Sequence, residues 1–325
     1  MATDLSVAVL GSGAMGSLYG GRLADAGVDV TLIDVREDHV RAIRRAGLEI
    51  ASPDGPATTV DVAATTDPGA VGAVGLVVVF VKSTQTAAAV ADAATLFEDE
   101  PDVLTLQNGL GNPETIAEFE FVPASSVVAG VTAHGATLDG PGRVIHAGEG
   151  RTTIGRYFAD NDAGVRRITR ALRAAGFETD VTADVRTAIW EKVLVNVGIN
   201  APTALTRVDN GLLATTDPGT RLVEAAVTEA ARVARAEGHD VREDVVDHVL
   251  GVAAATAANT SSMRGDVEAG RETEVERLHG EVVARAETAG IDVPVTRTLA
   301  DLVRLTEAGM DEDGKKNGSE NDADQ

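Results

Sequence analysis

The stretch from Leu5 to Asp34 leaves a chain few ways to fold. Leu5-Ser-Val-Ala-Val-Leu10 is a short, nearly continuous apolar run, the pattern of a strand buried on both faces. It ends in Gly11-Ser12-Gly13-Ala14-Met15-Gly16, and Leu18 to Ala26 then has helical spacing closed by Gly27. A second strand, Asp29-Val-Thr-Leu-Ile-Asp34, closes on an acid 18 residues beyond Gly16. A bare GxGxxG is weak evidence. With strand, helix and downstream acid in place it specifies a dinucleotide site, because the glycines allow a tight turn and let a pyrophosphate rest on the helix N-terminus.

The same alternation continues. Asp38 to Ala46 reads as a helix ending at Gly47, Leu76-Val-Val-Val-Phe-Val81 as a buried strand, Thr84 to Leu96 as an alanine-rich helix, and Val103-Leu-Thr-Leu106 as a further strand. Strands alternating with helices imply βαβ units in a doubly wound parallel sheet. From about Ser125 to Ile154, β-branched runs broken by Gly and Pro, including Asp139-Gly-Pro-Gly142, read as hairpin or irregular strands at the far edge of that sheet. After Asp184 the spacing is helical: Trp190 to Ile199, Gly219 to Glu237, Val241 to Ala258 and Thr273 to Ala289, the last with a capping box at Thr273-x-x-Glu276. The expected fold is α/β, with a Rossmann-type dinucleotide-binding domain over 1–184 and an all-helical substrate and catalytic domain over 185–308. Residues 309–325 hold six acids, two lysines and no apolar run, and are predicted to be disordered.

Composition narrows the setting. There is no cysteine, which excludes disulfides, thiolate catalysis and zinc–sulfur sites. The six histidines lack metal-ligand spacing, so no metal is expected. Fifty-one acids against 28 bases give a net charge of −23, which repels nucleic acid and anionic membranes. Only four residues are lysine, at 82, 192, 315 and 316. So acidic and lysine-poor a chain suits molar salt, where screening removes self-repulsion, and a halophilic protein is expected. No apolar run approaches the ~20 residues that span a bilayer, and the N-terminus shows no secretory signal; a cytoplasmic protein is expected. The partners expected are a small-molecule substrate and, at most, a second copy of the chain in a homodimer.

Further polar residues stand where chemistry could use them. Lys82 follows the strand ending at Val81, and Asn108 follows the strand ending at Leu106, so both lie at the carboxyl edge where parallel sheets bind ligands. Lys192, Asn196 and Asn200 are spaced i, i+4, i+8, on one face of a helix that is otherwise largely apolar. Polar groups in such a helix must be satisfied, and lysine, unlike arginine, can exchange a proton near neutrality when buried. Asn259-Thr260-Ser261-Ser262 and Glu274, taken alone, read as helix-cap residues. His134 and His146 read as packing or hydrogen-bonding residues.

Six blocks in order carry a family resemblance: GxGAMGS at Gly11–Ser17, VKxxQT at Val81–Thr86, LQNGxG at Leu106–Gly111, HGA at His134–Ala136, WxKxxxNxxIN at Trp190–Asn200, and NTSSMxxDxxxGRxTE at Asn259–Glu274. From Val7 to about Leu305 the chain resembles the ketopantoate reductase (2-dehydropantoate 2-reductase) family. The resemblance implies NAD(P)H-dependent reduction of 2-dehydropantoate to (R)-pantoate, a step toward pantothenate and coenzyme A. It implies Lys192 as general acid, with Glu274 orienting it and facing the cofactor. It further implies that Asn108, Lys192, Asn196, Asn200, Asn210, Asn259 and Ser262 hold the substrate. Lys82, Asn108 and Ala136 would lie along the cofactor, together with Gly11, Ser12, Gly13, Ala14, Met15, Gly16, Asp34 and Arg36. Asp34-Val35-Arg36 leaves NADP against NAD open: an acid favours NAD and repels a 2′-phosphate, whereas an arginine can pair with one. Two other readings stand beside it: a related two-domain dehydrogenase acting on another 2-keto or 3-hydroxy acid, and a non-catalytic dinucleotide-sensing protein.

Overall fold

The computed structural model describes residues 5–52 and 55–321, with the backbone alone over 311–321. The chain divides into two compact units, 1–107 with 111–188, and 108–110 with 189–325. The division falls within one continuous helix, Val185–Thr206, rather than at the expected 184/185, and it assigns the three residues after Gln107 to the second unit.

Among the described residues the first unit contains twelve strands: β1 (Ser6–Leu10), β2 (Asp29–Ile33), β3 (Leu48–Ser52), β4 (Gly55–Val60), β5 (Ala63–Thr65), β6 (Leu76–Val79), β7 (Asp102–Thr105), β8 (Val127–Thr132), β9 (Gly135–Leu138), β10 (Arg143–Gly148), β11 (Arg151–Arg156) and β12 (Glu178–Val181). Eight of them form a sheet in the order β12-β11-β8-β7-β6-β1-β2-β5. From β5 to β8 every pairing is parallel, and the order is that of doubly wound dinucleotide folds, reversing at β1. Both faces are covered. Val7, Val9, Leu76 and Val78 enter one core with Leu18, Tyr19 and Phe177, while Ala8, Leu10, Val77 and Val79 enter another with Val90, Phe97 and Ile116. Burial on both faces is why these strands read as unbroken apolar runs.

The region 125–154 departs from expectation. β8 extends the main sheet as a further parallel strand, and β11 pairs antiparallel to it. β9 and β10 leave the main sheet and form a second one, in the order β4-β3-β10-β9. This sheet packs on the helix Ala14–Asp25 at small residues: a Cβ on Gly21 would stand 2.7 Å from Leu48 Cδ2. The β3–β4 hairpin escapes sequence reading because β4 is exposed at every residue but Val60, so it shows no period-2 alternation.

The second unit is helical: Val185–Thr206, Gly211–Thr215, Asp217–Ala236, Val245–Ala255, Ser262–Glu268, a π-turn over Glu276–Gly280, Glu281–Ala289 and Pro294–Asn321. Its central helix buries Val193, Leu194, Val197, Ile199 and Ala201. At Gly198 the neighbouring helices come so close that a Cβ would meet Val249 Cγ1 at 2.7 Å and Val227 Cγ2 at 2.8 Å. The last helix carries the backbone through 309–321, where a disordered tail is expected from composition. The residues there include good helix formers, and an existing helix elongates more cheaply than a new one nucleates. Residues 322–325 of that tail lie outside the described residues. Among the described residues no helix is long and apolar enough to cross a membrane.

Candidate active site

The three loop glycines do different work. Gly11, at φ +92°, packs against the end of β6, where a Cβ would stand 2.6 Å from the Val81 nitrogen. A Cβ on Gly16 would fall 1.9 Å from the Gly11 oxygen. Gly13 is different: a Cβ there meets nothing within 4 Å. Gly13 is also the N-cap of the helix Ala14–Asp25 and makes no side-chain cap bond. With no capping side chain at this helix end and open space on the Cβ side of Gly13, the loop backbone can be approached closely, which fits a dinucleotide pyrophosphate.

Asp34, one residue past β2, is held by three groups. Ser12 Oγ donates to its Oδ2 at 3.2 Å, and the Arg36 backbone N–H and Nε donate to its Oδ1 at 3.0 and 3.1 Å. Burial alone would push the Asp34 carboxyl up, but the Arg36 hydrogen bonds and charge outweigh it and hold the group below the usual carboxylate range. The exposed Arg36 is folded back onto the acid. The structure therefore brings Gly11, Ser12, Gly13, Ala14, Met15, Gly16, Asp34 and Arg36 to one sheet edge, with Lys82 exposed just beyond β6. Ala136 lies in β9, opposite His146. Gln107 escapes sequence reading: its Nε2 donates to the Val81 oxygen at 2.7 Å and to Thr86 Oγ1 at 2.9 Å, tying the ends of β6 and β7.

In the second unit, Lys192, Asn196 and Asn200 project from one face of the central helix, Asn200 being almost wholly buried. Lys192 as a residue is half-buried, yet its ammonium is enclosed. Desolvation lowers it from the ordinary lysine range to about 8, with the Glu274 carboxylate acting in the opposite sense. Glu274 is positioned by the segment 108–110. Asn108 Nδ2 donates to Glu274 Oε2 at 3.0 Å, and the Leu110 N–H donates to the Arg277 oxygen at 2.8 Å. Between them Gly109, at φ +88°, leaves room for Arg277, whose oxygen a Cβ would meet at 2.4 Å. The approach is made against the π-turn Glu276–Gly280, a wide turn of the kind found at functional sites.

Ser261, not Ser262, caps the helix Ser262–Glu268, its Oγ accepting from the Arg264 N–H at 3.2 Å. Ser261 Oγ also lies 2.7 Å from Thr203 Oγ1 on the central helix. Ser262 and Asn259 are thereby left exposed, with the Ser262 hydroxyl released from capping. Thr203 and Ser261 carry no sequence signal beyond their neighbourhood. Asn210 is buried and directs Nδ2 to Thr256 Oγ1 at 3.0 Å, while its Oδ1 has no partner among the described residues. The capping box at Thr273 does not form. Thr273 N–H goes to Glu307 at 2.7 Å, and Glu276 makes a two-pronged ion pair with Arg304, both bonds at 2.7 Å, a stronger alternative for a carboxylate than a neutral N–H. Among the described residues no cluster of three or more His, Cys, Asp or Glu side chains could hold a metal.

Two family models match this arrangement in chain order: "Ketopantoate reductase PanE/ApbA" over residues 7–158 and its C-terminal counterpart over 184–307. The chain belongs to the ketopantoate reductase family. A 2-dehydropantoate 2-reductase from Halobacterium salinarum is 52% identical over 303 residues, covering 93% of this chain and 99% of the relative. A crystal structure of a PanE/ApbA family ketopantoate reductase from Ralstonia eutropha superposes with a TM-score of 0.86 at 33% identity, covering 94% of this chain and all of that one. A D-mandelate dehydrogenase solved with NADH and anilino(oxo)acetate superposes at 0.87 with 25% identity, covering 96% and 100%. The chain is thus an oxidoreductase, a Rossmann-like domain followed by a helical one.

Proposed function

We propose that this enzyme reduces 2-dehydropantoate to (R)-pantoate with NAD(P)H, with Lys192 as the proton donor. The observation that carries the reading is a lysine ammonium brought to about 8 by burial beside Glu274, on the helix face that also bears Asn196 and Asn200. The bound nicotinamide supplies the hydride for C2. Everything else falls to the chain. Lys192 holds a proton at Nζ for the C2 oxygen and opposes the negative charge that grows there. Glu274 raises the affinity of that nitrogen for its proton and is itself oriented by Asn108. Asn196, Asn200 and the exposed Ser262 offer hydrogen bonds to the hydroxyl, carbonyl and carboxylate oxygens of a small branched keto acid, and Asn259 and Asn210 are assigned to the same task.

The nucleotide is read as either NADH or NADPH. Asp34 can accept from ribose hydroxyls, and Arg36, now paired with it, can turn to a 2′-phosphate. The NADH-bound mandelate dehydrogenase supports use of NADH. It also favours a second reading, a different 2-keto acid as substrate. A cytoplasmic, salt-adapted enzyme is part of the proposal, supported by the charge of −23 and the Halobacterium relative. The deciding assay follows nicotinamide oxidation with ketopantoate and a panel of 2-keto acids in concentrated potassium chloride. Ketopantoate should give the highest kcat/KM. A larger value for an aromatic keto acid selects the second reading, and no turnover with any keto acid rejects both.

A further inference from the structure

His39 has no part in the function proposed above, although its contacts are directional. It lies in the helix Glu37–Ala46 and is wholly buried. Its Nδ1 accepts the Gly142 backbone N–H at 3.0 Å. A neutral ring nitrogen that accepts carries no proton, so the hydrogen is on Nε2. Nε2 stands 3.2 Å from Ser17 Oγ and therefore donates to it. The Ser17 hydroxyl donates its one proton onward to the Ser12 carbonyl oxygen, at 2.7 Å. Burial first, then the Arg36 charge, push this imidazole below the ordinary histidine range against Asp34, Asp38 and the Ser12 carbonyl. The ring is neutral at neutral pH and the direction holds.

The relay has an anchored end and a working end. Gly142, at φ +74°, belongs to the turn between β9 and β10, where a Cβ would stand 2.9 Å from Ala42 Cβ. The turn is thus seated on the helix that carries His39. At the other end is the Ser12–Gly13 peptide. A peptide unit is planar, so a hydroxyl that holds the Ser12 oxygen also fixes where the Gly13 N–H points. Glycine itself does little to hold such a plane.

We infer that His39 is a positioning residue for dinucleotide binding, holding the Ser12–Gly13 peptide through Ser17 so that backbone N–H groups face a pyrophosphate. The inference rests on the dinucleotide reading above. Three variants of the full chain separate it from simple packing, with NADPH and NADH titrated by nicotinamide fluorescence. His39→Asn keeps an acceptor in the place of Nδ1 but has nothing at Nε2. His39→Gln puts an amide N–H where Nε2 was. Ser17→Ala removes the last link. His39→Asn and Ser17→Ala should bind dinucleotide about five- to tenfold more weakly, the worth of one oriented hydrogen bond. Their KM for the cofactor should rise while kcat at saturating cofactor holds within about twofold. His39→Gln should bind within about twofold of wild type, a rescue that packing does not provide. If wild type binds neither dinucleotide, the dinucleotide reading itself fails. If wild type binds and Ser17→Ala or His39→Asn binds as well, or His39→Gln loses as much as His39→Asn, the role of His39 alone is overturned. Thermal melts check each fold, and Ser17→Ala decides the matter if the histidine variants do not fold.

Discussion

Replacing Glu274 by glutamine isolates what its charge does to Lys192. Glutamine keeps an oxygen to accept the Asn108 amide, now 3.0 Å from Oε2, and removes only the negative charge. In the native chain burial lowers the ammonium to about 8 while Glu274 pulls the other way. An opposite charge close by is worth about 1–3 pKa units. Without it Lys192 should ionise at least about one unit lower, at about pH 7 or below. A general acid must be protonated to act, so wild-type kcat/KM for reduction should hold up to about 8 and then fall with pH. In Glu274→Gln this alkaline limb should move down by about one unit or more, leaving about fivefold less protonated acid at pH 8 and little change at about pH 6. Stability gives an independent sign. The folded pKa lies below the unfolded lysine value, so the native state binds fewer protons between about 8 and 10.5, and stability rises with pH across that window. The charged lysine therefore costs of order 3 kcal/mol below the window. The melting-temperature advantage of Lys192→Met over wild type should shrink as pH rises through it. Nicotinamide absorbance, followed across the pH range at saturating cofactor, reads the main effect. Superimposable profiles for wild type and Glu274→Gln, or a limb moved to higher pH, would refute the coupling.

Lys192→Ala should lower kcat by about 10²–10⁴-fold with dinucleotide affinity nearly unchanged, and Lys192→Arg should rescue poorly because guanidinium keeps its proton; a variant retaining more than about half of wild-type kcat rejects the assignment. Asp34→Ala should free Arg36, improving kcat/KM with NADPH and weakening it with NADH. A wild-type preference for NADPH above about 30-fold would instead show that Arg36 already governs the pocket. Gly109→Ala should destabilise the protein by about 1–3 kcal/mol, because a Cβ meets the Arg277 oxygen at 2.4 Å on a backbone at φ +88°. Denaturation midpoints within error of wild type would contradict that. With a net charge of −23, the melting temperature should be well above its dilute-salt value in concentrated potassium chloride, and equal values would end the halophile reading.

The amino-acid sequence by itself determined what depends on short-range periodicity. The buried strands β1 and β6 read as apolar runs because both of their faces are covered, and the Gly11–Gly16 loop declares itself by its place between strand and helix. The face shared by Lys192, Asn196 and Asn200 follows from 3.6 residues per turn, whatever surrounds the helix. The tertiary structure decided the contests between partners. Ser261 rather than Ser262 caps the helix Ser262–Glu268, and its hydroxyl also meets Thr203, which lies on another helix. Glu276 left its capping box for Arg304, and Arg36 folded onto Asp34. The second sheet needed Arg143 to meet Glu49 across distant sequence, on strands whose exposed neighbour β4 shows no alternation. The burial that brings Lys192 to about 8, and the Glu274 carboxylate 82 residues further on that opposes it, are likewise tertiary. A local pattern states which groups a residue offers. Which donor or acceptor answers it depends on chain brought in from far away, and the strongest hydrogen bond or ion pair within reach then wins.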